Sequence, residues 1–147
     1  MVDVNVVSRK LAELSLRLAR IRAQSPEDFD AFVADQDALE LASFNLLLAI
    51  QTCLDIASHL IADEGWEPSA TLGEAFLRLY ERGVLTSEIA QTMKRAAGMR
   101  NILAHGYESA DAAIIQDAAV HGVADLERFS QEIAAWMARR LDDSHTA

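Results

Sequence analysis

One stretch of the chain concentrates residues able to do chemistry. Arg100-Asn101-Ile102-Leu103-Ala104-His105-Gly106-Tyr107 sets a permanent cation, an amide, an imidazole and a phenol within about two helical turns. Arginine beside histidine suits phosphate chemistry. The guanidinium stays charged at any biological pH and offers a planar fork of donors to phosphate oxygens, whereas the imidazole titrates near neutrality and moves protons. Such a pair can cleave RNA without a metal or cofactor. The histidine relays the proton of the 2'-hydroxyl or of the leaving 5'-oxygen, and the arginine neutralises charge growing on the phosphorus oxygens.

The element that must position these groups is an amphipathic helix ending at the motif. On an unbroken helix Arg100 and His105, five positions apart, point about 140° away from each other. Gly106 is placed as a left-handed C-cap, so the helix is expected to unwind near His105 and let the imidazole swing back toward Arg100. A plainer reading stands beside this one, because Arg and His are common in the last turn of a helix, where cations interact well with the macrodipole.

The spacing Arg-x4-His-x-Tyr, with Asn101 after the arginine and Gly106 after the histidine, resembles the signature of the HEPN superfamily, specifically its HepT-like toxin branch. The likeness extends from Leu46 to about Ile133: a helix carrying Gln51, Asp55 and His59, the segment Phe76-x-x-Leu79-x3-Gly83-Val84-Leu85, the motif, then Asp111 and a last amphipathic helix. Ala104 departs from the common pattern, in which a larger aliphatic residue is usual. The resemblance implies an all-α fold, a homodimer whose Arg and His from both subunits meet at the interface, and ribonuclease toxicity with Arg100 and His105 catalytic and Asn101 and Asp55 supporting. It further implies a cognate minimal nucleotidyltransferase antitoxin, in a type II or type VII pair, that in some systems transfers AMP onto the motif tyrosine, here Tyr107. From the residues alone, Tyr107 reads equally as a ring packed under the loop with its hydroxyl capping a carbonyl.

At 147 residues the chain makes one domain with a real core, spanning positions 1–147. Hydrophobic residues are 51% of it and aromatics only 6%, with 6 Gly and 2 Pro, which describes an aliphatic helical protein. The single cysteine, Cys53, excludes an internal disulfide and suits a reducing cytoplasm. No apolar run approaches the roughly 18 residues of a membrane span, and the N-terminus lacks a signal-peptide core, so no membrane association is expected. A net charge of -10 argues against a general nucleic-acid binder. Its distribution matters more. Twelve acids against Arg78 alone lie between Glu27 and Glu81, yet Ile89 to Tyr107 holds Lys94, Arg95 and Arg100 and no acid. The motif therefore sits in a locally positive strip, which fits a small phosphate-bearing target or a selected RNA better than bulk nucleic acid.

Helix one is expected from about Val4 to Ala23, with Val4, Val7, Leu11, Leu14, Leu18 and Ile21 as a narrow apolar stripe. Ser25-Pro26-Glu27-Asp28 predicts the start of a short second helix presenting Phe29, Phe32 and Val33. A third runs from about Ala38 to Ala62. On it Gln51, Asp55 and His59 follow at steps of four, either as a surface pair or as a line beside the active pocket in which Asp55 orients His59. Ligand spacing is missing from this face, so no metal is expected. Thr71 with Glu74 forms a capping box for a fourth helix that buries Leu72, Phe76 and Leu79 and stops at Gly83. Thr86 or Ser87 caps the fifth, which delivers Arg100. A helix from about Asp111 to Val120 and a last one from about Val123 to Leu141 follow, with His121-Gly122 either breaking or joining them and the tail from Asp142 frayed. The fold class is an all-α up-and-down bundle of five or six helices. Besides a ribonuclease toxin, a non-catalytic nucleotide-binding or nucleotidyltransferase-companion module and a plain interaction protein stay compatible with the sequence.

Overall fold

The computed structural model describes residues 2–105 and 111–146. Among them the elements are all helical: α1 (Val4–Gln24), α2 (Phe29–Ala34), α3 (Gln36–Asp63), α4 (Leu72–Glu81), α5 (Ser87–Ala104), α6 (Ala112–Asp117), a π-helical segment (Ala118–Gly122) and α7 (Val123–Thr146). The last three are continuous, so the bundle has six rods. His121 and Gly122 are absorbed as a π segment, an insertion that helices tolerate where a weak helix former such as glycine lies. α7 does not stop near Leu141; it continues to Thr146, with the Ser144 hydroxyl bonding back to the Leu141 carbonyl at 2.8 Å.

α3 is the axis of the molecule. Leu46, Ile50, Cys53, Ala57 and Leu60 are buried along it, joined by Leu54 and Ile61, and α1, α4, α5 and α7 pack around them. Among the described residues α3 is the one helix long and apolar enough to cross a membrane, but over half of that window is buried inside the bundle, as befits a core helix. The α1 stripe is realised by buried Val7, Leu14, Leu18 and Ile21. Phe76 of α4 meets Phe129 of α7 edge to face, with centroids 5.6 Å apart, a geometry worth about 1 kcal/mol beyond area burial.

Three expectations are corrected. Asp28, not Ser25, caps α2 by accepting from the Ala31 N–H, because the carbonyls of Pro26 and Glu27 are drawn to the Gln116 amide, the latter at 2.6 Å. Of the apolar residues on α2 only Phe32 turns inward; Phe29 and Val33 stay exposed. Leu72 is likewise exposed: it shares a face with Phe76 and Leu79, but as the first residue of α4 it lies at the rim of the bundle, beyond the neighbours that cover those two.

Two ends of α5 are fixed by partners on other helices. At its start Thr86 caps the Ile89 N–H, and the Thr86 N–H and hydroxyl donate to the Glu132 carboxylate of α7 at 2.7 and 3.1 Å. The preceding turn closes on Gly83, whose φ of 76° is a conformation that side chains with a Cβ rarely take. At its far end α5 is tied to α3 through Arg100.

Candidate functional site

Arg100 lies in the last turn of α5, half-buried, and its side chain crosses to α3. The Nε–H donates to Gln51 Oε1 at 3.0 Å, and Nη1 donates to the neighbouring Asn101 Oδ1 at 3.2 Å. Gln51 in turn donates from Nε2 to Asp55 Oδ1 at 3.0 Å, and Lys10 Nζ of α1 stands 3.8 Å from Asp55 Oδ2. A chain of polar groups thus joins three helices, Arg100 to Gln51 to Asp55 to Lys10. α3 can supply two of its members because Gln51 and Asp55 are one helical turn apart on one face.

His105 is the C-cap of α5, exposed, with φ of -91° and ψ of 7° and its N–H bonded back to Asn101 O at 3.3 Å. The helix therefore ends where the glycine signal placed its end. Among the described residues the imidazole is not a partner of Arg100, whose guanidinium is turned toward α3 instead. Asn101 is exposed and orients Arg100 directly. Asp55 touches Arg100 only through Gln51. Gly106 and Tyr107 lie outside the described residues.

His59 does not pair with Asp55 as the four-residue spacing suggested. Its Nε2 lies 2.9 Å from Asp63 Oδ2, one turn further on, in an approach without hydrogen-bond alignment, and Asp63 also accepts the Asp3 N–H at 3.0 Å. Asp55 is engaged by Gln51 and Lys10, so the polar line splits into a pair that serves Arg100 and a pair that ties α1 to the end of α3. Beneath it Cys53 is fully buried. Burial first, and then the negative charge of Asp55, push its thiol far above its ordinary range, so it stays protonated and inert.

Beside the motif a groove of about 660 Å³ opens between α5 and the α6–π segment. Leu46, Ile50, Met93 and Met99 line it, Ile102 and Ile114 stand half-exposed on it, and Arg95, Asp117 and Asp125 mark its polar side.

Residues 14–133 match the family described as ribonuclease HepT-like. The chain belongs to that family. A relative named mRNA nuclease HepT, from Shewanella oneidensis, is 24% identical over 131 residues, covering 89% of this chain and 98% of the relative. One named tRNA nuclease HepT, from Aphanizomenon flos-aquae, is 35% identical over 110 residues, 75% of each chain. A solved structure described as a tri-AMPylated Shewanella oneidensis HEPN toxin in complex with MNT antitoxin superposes with a TM-score of 0.82 at 23% identity, covering 90% of this chain and 99% of that one. At that identity the superposition establishes a shared HEPN-toxin fold.

The sequence placed Arg100, Asn101 and His105 at the end of the fifth helix, and the structure has them there. It singled out Gln51 as polar and in line with Asp55, but gave no partner for it. The available signal was an amide on the face of a helix that is otherwise apolar.

Proposed function

We propose that this chain is the toxin of a toxin–antitoxin pair, a metal-independent endoribonuclease that works as a homodimer in the cytoplasm and is neutralised by a small nucleotidyltransferase. The observation that carries the reading is the end of α5. Arg100 is held by neutral partners, Gln51 and Asn101, and no described carboxylate stands within ion-pair distance of it, so its charge remains for a phosphate. His105 is exposed one and a half turns on. Names of family members support RNA as the substrate class: the two relatives are an mRNA nuclease and a tRNA nuclease.

In the reaction, Arg100 binds the scissile phosphate and stabilises the charge that grows on its non-bridging oxygens. His105 transfers a proton at the 2'-hydroxyl or at the leaving 5'-oxygen. Asn101 and Asp55 support the arginine, one by contact and the other at one remove. Cleavage by internal attack calls for a group that takes a proton and a group that gives one, and each chain has one motif histidine. Two subunits meeting over the apolar groove that Ile102 and Ile114 flank would bring both together. Control falls to Tyr107. An AMP on its phenol adds a phosphate that can pair with Arg100 through a forked contact and so occupies the group meant for RNA.

The experiment is cleavage of RNA by purified protein in the presence of a chelator. Arg100→Ala and His105→Ala each lower the rate by about 10² to 10⁴ without loss of fold. A well-folded variant of either kind that cleaves as fast as the parent refutes the assignment. Retention of a nucleotide with no RNA cleavage by the parent assigns the chain instead to the non-catalytic modules.

A further inference from the structure

We propose that Gln51 is the positioning residue for Arg100, and that a neutral amide stands at this place so that the guanidinium is aimed without being neutralised. This rests on the ribonuclease reading of Arg100.

The amide has one possible orientation. Guanidinium groups only donate and ionised carboxylates only accept, so Gln51, placed between Arg100 and Asp55, must turn its oxygen to the first and its nitrogen to the second. A flipped amide would set N–H against N–H on one side and oxygen against oxygen on the other. Asp55 therefore locks the acceptor that locks Arg100. Lys10, at 3.8 Å from the far oxygen of Asp55, holds that carboxylate from the other side and offsets part of its charge.

The consequence for Arg100 lies in what is left over. A guanidinium has five N–H donors. Gln51 takes the one on Nε and Asn101 one on Nη1, so the remaining donors, all on the terminal nitrogens, are bound to none of the described residues. The side chain is fixed at its inner edge and open at its outer edge, where a phosphate is met by two parallel N–H groups. A carboxylate at position 51 would hold the same edge equally well. It would also form an ion pair, against which every RNA phosphate has to compete. The negative charge in the chain is instead set one residue further back, at Asp55, where it acts on the amide.

A bond that merely ties α5 to α3 would affect stability alone, so the test reads the arginine itself. The Nε–H signal of Arg100, assigned by its loss in Arg100→Lys, is followed by nitrogen-15 NMR for exchange with water. It is protected in the parent and exchanges at least about tenfold faster in Gln51→Ala and in Asp55→Ala, the loss of a charge-assisted hydrogen bond being of that size. An unprotected signal in the parent, or one unchanged by Gln51→Ala, overturns the proposal. With an RNA oligonucleotide as substrate, Gln51→Ala lowers kcat by about 10- to 100-fold while KM moves by no more than about threefold. Gln51→Glu restores the protected Nε–H but raises KM at least about tenfold, because the phosphate meets a neutralised arginine. Parent-like kinetics for Gln51→Glu overturn the role given to neutrality. Parent-level cleavage by Arg100→Ala overturns the ribonuclease reading and this role with it. An inactive Arg100→Ala beside a fully active Gln51→Ala overturns this role alone.

Discussion

Removing Glu132 separates the stability of the site-bearing helix from its chemistry. The carboxylate belongs to α7, its side chain is 18% exposed, and it receives both the N–H and the hydroxyl of Thr86, the residue that caps α5. Charge-assisted hydrogen bonds of this kind contribute about 1.5–3 kcal/mol when their donors are left dry. Thr86 itself is exposed, so water replaces part of the loss and the lower end applies, roughly 1.5 kcal/mol for the pair. A negative charge at the start of α5 adds about 0.5 kcal/mol through the helix dipole. Glu132→Ala should therefore cost about 2 kcal/mol, equivalent to a fall in Tm of about 4–8 °C for a chain of this size. Glu132→Gln keeps an acceptor and loses the charge, and should cost about half as much. Circular dichroism during heating and urea titration measures both. RNA cleavage by Glu132→Ala below its Tm stays at the parent's rate, since Arg100 is held from α3 at the opposite end of α5. A Glu132→Ala protein within about 0.5 kcal/mol of the parent would show that the N-terminal anchor contributes nothing and that packing alone fixes α5.

Cys53 resists thiol reagents in the folded protein and reacts on unfolding, as an Ellman assay with and without urea measures. Because its thiol is raised in the folded state, it contributes stability that is complete below the unfolded thiol pKa of about 9 and is lost above it at up to about 1.4 kcal/mol per pH unit; Cys53→Ala flattens that alkaline slope in urea titrations, and an unchanged slope refutes the assignment. Ile102→Glu weakens the proposed dimer by at least about 30-fold in light scattering, since completing the burial of a half-exposed isoleucine is worth about 1 kcal/mol and a symmetric interface counts it twice. Co-expression with the proposed nucleotidyltransferase partner yields, if Tyr107 is the control point, a peptide containing it that is heavier by one AMP or more in mass spectrometry. Full neutralisation of a Tyr107→Phe toxin by the catalytic activity of that partner contradicts the control step.

What the sequence made legible is what local chemistry decides. Thr71 caps α4, Thr86 rather than Ser87 caps α5, Gly83 takes the left-handed turn, and Val7, Leu14, Leu18 and Ile21 of the α1 stripe turn inward as their spacing requires, with Val4 left exposed at its start. Phe29 and Val33 misled because a helix of six residues presents too few turns for periodicity to choose the buried side, and Leu72 because the first residue of α4 lies at the rim of the bundle. The start of α2 moved because its expected first carbonyls serve Gln116, some ninety positions away, a partner that no local pattern reveals. Gln51 and Arg100 are 49 positions apart, and nothing in the stretch around either residue announces the other. The motif could be read because its residues are adjacent in sequence. The group that aims it could not, because it reaches the motif only through the packing of α3 against α5.

That packing also reconciles an acidic chain with a substrate made of phosphates. Most of the arginines outside α1 and α5 are matched to carboxylates: Arg78 to Glu81 at 2.8 Å, Arg128 to Glu88 at 3.0 Å and Arg140 to both oxygens of Glu64 at 2.7 Å. The three bases of α5 are not. Among the described residues Arg95 meets Thr92, Arg100 meets Gln51 and Asn101, and no carboxylate comes within ion-pair distance of Lys94, Arg95 or Arg100. At physiological ionic strength a charge is felt over about 8 Å, so a phosphate seated at the end of α5 responds to these cations far more than to acids on remote faces. Those acids still act at longer range on a large polyanion, whose many phosphates have to approach several faces at once. A net charge of -10 thus discourages indiscriminate coating by nucleic acid, while the bases of α5, with no described carboxylate in reach, keep their charge for a phosphodiester at the proposed site of Arg100 and His105.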